Sequence, residues 1–99
     1  IEVGALHGHT PGHCGFHVMG GDESILIWGD VVHNEALQFA NPEIAVLFDS
    51  DAAAAVKTRR AVVEMAIQEQ LWVAGAHLPF PSVGKACSAT ASSYRYAPA

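Results

Sequence analysis

The chain has 99 residues, 51% hydrophobic and 15% charged, with ten acidic side chains against five basic ones. About one domain's worth of chain, it buries roughly 65% of the surface it would expose unfolded, so a modest core forms without disulfide staples. The composition excludes a disordered chain, and a formal charge of −5 with no basic cluster beyond Arg59-Arg60 argues against a nucleic-acid-binding face. No apolar run approaches the ~18–20 residues needed to span a bilayer, and no charged-then-apolar leader opens the chain, so no membrane association is expected.

Val3 to Leu6 is short, apolar and strand-like. It runs into His7-Gly-His-Thr-Pro-Gly-His13, where two glycines and a proline interrupt regular structure. Cys14 to Met19 and Ser24 to Trp28 flank Gly20-Gly21-Asp22-Glu23 and predict a hairpin, since glycine supplies the positive φ of tight turns. Gly29-Asp30 opens a loop that contains His33. Residues 34–43, ended by Asn41-Pro42, predict loop with at most a helical turn, and Ile44 to Phe48 a short extended segment. Asp49-Ser50-Asp51 offers helix N-caps before a stretch free of Gly and Pro, predicting an amphipathic helix over about 51–70. Its buried stripe would carry Ala52, Val56, Val63, Ala66 and Ile67, and its polar side Lys57, Arg60, Glu64 and Gln68.

Leu71 to Ala74 resumes strand character, and Gly75-Ala-His-Leu-Pro-Phe-Pro81 is a further loop. Two more strands are expected around 85–88 and 93–96. The segments Ile25–Trp28 and Leu71–Ala74 are apolar at alternating positions on both sides, the pattern of strands covered on both faces. One helix covers one face, so the chain reads as a single half-domain, 1–99, that needs a partner. Cys14 and Cys87 fit no metal or redox spacing and are expected to be buried free thiols, as in a cytoplasmic protein. Trp28, Trp72 and Phe80 read as core or pocket wall.

Six histidines outnumber the lysines and arginines, and four of them fall at positions 7, 9, 13 and 17. Imidazoles and carboxylates on separate loops suit a borderline metal such as zinc. His9, Asp30 and His77 stand on three loops that each follow a strand, as a site assembled by folding requires. Histidines in Gly/Pro loops are also common as solvated turn residues, so these residues alone leave both readings open.

Gly8-His-Thr-Pro-Gly-His13, Trp28-Gly-Asp30 and Gly75-Ala-His77, in this order, resemble the second half of the metallo-β-lactamase-fold hydrolases. Ala36-Leu-Gln-Phe-Ala40, Asp49-Ser-Asp51, His77-Leu-Pro-Phe-Pro81 and Tyr94-Arg-Tyr96 are similar to the branch containing methyl parathion hydrolase and lactonase-like enzymes. The resemblance implies an α+β fold, half of an αββα sandwich, with a mostly antiparallel sheet and one main helix on one face. It also implies metal ligation by His9 and His77 and bridging by Asp30. Zinc or another divalent transition metal would be the cofactor, and hydrolysis of an ester, lactone or phosphotriester the reaction. His33 falls where the family's lactonases carry a substrate-facing tyrosine. It would either donate to a developing oxyanion or line the loop without a catalytic part. His13 is expected to be a structural hydrogen-bonder, and His7 and His17 incidental or packing residues.

The family's earlier His-x-His-x-Asp-His motif does not occur here. Three of the family's ligands, divided between two ions, predict weak or absent metal binding and no activity from this chain alone. The sequence therefore reads as part of a longer gene product, completed by an N-terminal half, or as a stand-alone, non-catalytic half-fold that forms a homodimer and binds a metal or small ligand.

Overall fold

A computed structural model describes residues 2–46 and 49–99. In chain order the elements are β1 (Glu2–Ala5), β2 (Cys14–Gly20), β3 (Glu23–Ile27), α1 (Glu35–Ala40), α2 (Ala52–Gln68), β4 (Trp72–Ala74), β5 (Val83–Ser88) and β6 (Tyr94–Pro98). The strands form one six-stranded sheet in sequence order. Every pairing is antiparallel except β3–β4, which is parallel and joined by the helical crossover. This is the α+β half-fold expected from the sequence.

Register sorts the side chains onto two faces. Leu26, Trp28, Val73, Ala86, Tyr94 and Tyr96 meet Val62, Val63 and Ala66 of α2 and Phe39 of α1 in the main core. The Phe39 ring lies 6.1 Å from Trp28 and 5.6 Å from Tyr96, which puts α1 on the same sheet face as α2. On the opposite face Val3, Phe16, Ile27, Ala74 and Val83 form one cross-strand row. Val3, Phe16 and Ile27 in that row are 66%, 42% and 41% exposed. No element among the described residues covers this face, so β3 and β4 are covered on one side within the chain, where their sequence predicts two.

Helix α2 begins at its N-cap Asp51, whose carboxylate accepts the Ala54 N–H. It ends with the Gln70 N–H donating to Ile67 O and the Leu71 N–H to Ala66 O, with Gln70 at φ 56°. These paired bonds satisfy the last carbonyls of the helix.

The buried face of α2 is rotated from the predicted stripe. Ala55, Arg59, Val62, Val63 and Ala66 are buried, whereas Ala52 is exposed and Val56 and Ile67 are half-buried. The rotation turns on Arg59, which is 1% exposed. Its guanidinium donates to the carbonyls of Val31 (2.8 Å), Pro42 (2.6 Å) and Ile44 (3.1 Å), so the charge is buried among acceptors.

Other departures are local. Residues 35–40 form the short helix α1, capped by the Asn34 side chain accepting the Leu37 N–H. Residues 44–46 form no strand, and Leu47 and Phe48 of that predicted segment lie outside the described residues. Cys14 and Cys87 are free but half-buried, because both stand on the uncovered sheet face. Trp28 is fully buried, as expected of core. Trp72 lies half-buried on the open face, with the Lys85 ammonium 4.6 Å from its ring centre. Phe80, read as core or wall, is 94% exposed, since it lies in the loop between β4 and β5 rather than on a strand with a core-facing side.

Candidate metal centre

The topology gathers the three predicted loops at one end of the sheet. Strands β1, β3 and β4 run in the same direction, because β2 reverses between β1 and β3 while β4 is parallel to β3. Their C-terminal ends therefore open onto one rim, where His9, Asp30 and His77 follow. Backbone bonds from Trp28 N–H to Ala74 O (2.9 Å) and from Ala76 N–H to Gly29 O (3.2 Å) hold the Asp30 and His77 loops side by side.

The His9 loop is tied to the start of α2. The Ser50 and Asp51 N–H groups donate to the carbonyls of His9 and Gly8 at 3.0 and 2.9 Å. Gly8, at φ +132°, lies so close that a Cβ there would stand 2.2 Å from the Ala55 nitrogen. Only glycine allows that approach.

Both Asp30 oxygens face an imidazole. Oδ2 lies 3.2 Å from His9 Nε2, and Oδ1 lies 3.0 Å from His77 Nε2. The predicted ligands are therefore brought together, with Asp30 between the two histidines. His33 completes the cluster, its ring centre 4.7 Å from that of His9 and 4.8 Å from that of His77. One donor atom each of His9, Asp30 and His33 lie within 4.8 Å of one another. His33 Nδ1 is buried without a hydrogen-bond partner among the described residues. Burial, followed by the neighbouring His9 and His77 rings, holds the His33 pKa below its ordinary value of 6.5, against the opposing pull of Asp49 and Asp30.

Two side chains that sequence reasoning did not assign to the site orient its members. Asp49, whose side chain is 1% exposed, lies 3.2 Å from His9 Nδ1, which leaves Nε2 turned toward Asp30. A carboxylate behind a metal-binding imidazole fixes its tautomer and raises its basicity. Gln38 of α1 accepts the His33 and Asn34 N–H groups through Oε1 (2.6 and 3.0 Å) and donates through Nε2 to Ile44 O. The Asp49-Ser-Asp51 cluster signals a helix cap in the sequence, and nothing local distinguishes Asp49 as the partner of a residue forty positions away.

His13 is a structural hydrogen-bonder, as predicted. Its Nε2 accepts the Asp30 N–H at 3.0 Å, so its Nδ1 carries the proton and donates to Leu6 O at 2.8 Å. His7 is held locally by Pro11 O, 2.6 Å from its Nδ1. His17 lies on β2 away from the cluster, beside a groove of about 330 Å³ between β1, β2 and α2.

The donor set fits a divalent transition metal. Three imidazoles and two carboxylates converge, the Asp30 carboxylate has an imidazole on each oxygen, and His9 has a carboxylate behind it. No helix among the described residues is long and apolar enough to cross a membrane.

A family described as the metallo-beta-lactamase superfamily matches residues 1–77. No curated protein matches the chain. Among solved structures, the hydrolase AbOPH, of the beta-lactamase superfamily, is 38% identical with a TM-score of 0.96, over 99% of this chain and 34% of that one. AidC, a dizinc quorum-quenching lactonase solved in complex with a product, is 22% identical with a TM-score of 0.93, over 99% and 33% of the two chains, a likeness of fold. The chain thus spans about a third of the length of either protein.

Proposed function

The chain belongs to the metallo-β-lactamase superfamily, and from that premise we propose that it is the C-terminal half of a metal-dependent hydrolase of the methyl parathion hydrolase and lactonase-like branch. Its substrates would be esters, lactones or phosphotriesters. The observation that carries the reading is the Asp30 carboxylate, with His9 Nε2 on one oxygen and His77 Nε2 on the other. That is the arrangement a carboxylate bridging two ions requires, and the dizinc AidC and the hydrolase AbOPH share the fold around it.

In this reading His9 and His77 would be ligands and Asp30 would be shared between two divalent ions. Zinc or a related divalent ion would supply Lewis acidity and lower the pKa of water there. The chain's own residues do the positioning. Asp49 keeps His9 Nε2 directed inward, and His13 keeps the Asp30 backbone in place. His33, between the two ligand imidazoles, is available to donate an N–H to oxyanion charge as it develops. The remaining ligands would come from a complementary N-terminal half covering the Val3–Phe16–Ile27 face, and a cytoplasmic location belongs to the same reading. The open apolar face also favours a second reading, in which two copies of a non-catalytic half-fold pair through it.

The test grafts this chain in place of the matching third of AbOPH and assays the zinc-loaded chimera on an ester, a lactone and a phosphotriester. Hydrolysis of at least one class, abolished by Asp30→Asn and His77→Ala, is expected. A folded, metal-loaded chimera that is inert toward all three would sink the reading.

A further inference from the structure

The position of His33 has a consequence for the chain taken alone. The dinuclear arrangement needs His77 and ligands this chain does not supply, yet the group whose donors all lie close to one another is a different one. His9, Asp30 and His33 each place a donor atom within 4.8 Å of the others, and His77 falls outside that group. We propose that the isolated chain binds one divalent transition ion through His9, Asp30 and His33, with His33 serving as a ligand in place of any supplied from outside residues 1–99.

Four observations support the assignment. The donor count and type, two imidazoles and one carboxylate, match a metal site that keeps a position open for solvent. His9 already has Asp49 on its Nδ1 at 3.2 Å, the support a ligating imidazole needs. His33 lies next to the His9 ring, and its Nδ1 is buried without a partner among the described residues. Its backbone is held at the start of α1 by the Gln38 carboxamide, so the ring is presented from a fixed segment. His77, by contrast, is half-exposed, sits on the far oxygen of Asp30, and would serve to hold that carboxylate. The site would take Zn²⁺ or Co²⁺, because imidazole and carboxylate suit such ions.

This inference shares His9 and Asp30 with the reading above but exchanges His77 for His33, and the exchange makes the two separable. The experiment titrates the chelator-stripped chain with Co²⁺, following its visible absorption, and then displaces the Co²⁺ with Zn²⁺. One equivalent is expected, with affinity falling at least about ten-fold in His33→Ala and in His9→Ala and changing less than about three-fold in His77→Ala. His33→Phe, which keeps a ring in the gap, should lose affinity equally, and circular dichroism checks that each variant is folded. Binding by folded His33→Ala and His33→Phe within three-fold of wild type overturns the inference, as does failure of the wild-type chain to take up the ion. If His77→Ala carries the loss, the His9–Asp30–His77 reading survives and the His33 assignment falls.

Discussion

His13 and Asp30 are joined by a hydrogen bond from the Asp30 backbone N–H to the His13 ring, while the other ring nitrogen donates to the Leu6 carbonyl. One imidazole thus sets the distance between the end of β1 and the carboxylate at the centre of the site. Gly29 makes the approach possible: at φ +60°, a Cβ there would stand 2.8 Å from His13 Nε2. His13→Ala removes both bonds and should cost about 1–2 kcal/mol in urea unfolding. It should also weaken Co²⁺ binding about ten-fold, since Asp30 loses its support. Gly29→Ala should produce the same two changes by crowding the ring.

Asp49 supports the ring of His9, the proposed ligand, from its Nδ1 side. Asp49→Ala frees the His9 ring to rotate and should lower metal affinity by about 10–100-fold with His9 itself intact. Calorimetric titration with Zn²⁺ measures it. Asp49→Asn, which still offers an oxygen to His9 Nδ1, should lose less.

Arg59→Met should be among the most destabilising single changes in the chain. It leaves the Val31 and Pro42 carbonyls without the guanidinium that bonds them, while Ile44 O keeps the Gln38 Nε2 donor. Unpaired buried acceptors cost roughly 1–3 kcal/mol each, partly relieved by water, so a loss of about 3 kcal/mol in urea unfolding is expected. Arg59→Lys should recover little, because an ammonium cannot span three carbonyls fixed in different directions.

His33 gives the metal-free fold a pH dependence of defined sign. Burial first, then His9 and His77, lowers its folded pKa below 6.5. Below that ordinary value the unfolded chain takes up a proton that the folded ring resists, so the unfolded state binds more protons. Stability from this group is complete above about 6.5 and declines as the pH falls toward the folded value. Urea midpoints measured with chelator present should drop across that window, and His33→Gln should show a shallower drop.

Gln70 occupies a left-handed conformation at the end of α2, which costs a residue bearing a Cβ about 1 kcal/mol. Gln70→Gly should therefore raise the melting temperature, and its carbonyl would still accept the Lys85 ammonium at 2.9 Å. A fall in stability would show that the Gln70 side chain contributes more than its backbone strain costs.

Much of the architecture follows from patterns that act over a few residues. The Gly20-Gly21 turn, the alternation in Cys14–Met19, the Asp51 cap and the breaks at Gly29 and Pro81 each constrain their own neighbourhood, so the hairpin, the long helix and the strands were legible before folding was considered. His9, Asp30 and His77 stood out for the same reason: each follows a strand within a distinctively worded loop. That they lie on one rim depended on strand direction, and the parallel β3–β4 pairing settled it.

What the linear chain could not disclose are side chains whose roles depend on distant partners. Arg59 looks like a solvent-facing cation on a helix until three loop carbonyls surround it. Asp49 looks like a cap until His9 arrives forty residues from it in the chain, and Gln38 is unremarkable until it grips the backbone of His33. Local propensity is written in consecutive residues and is therefore readable there. Charge burial and ligand orientation arise only when segments far apart in sequence exclude water together, and tertiary structure alone decides them.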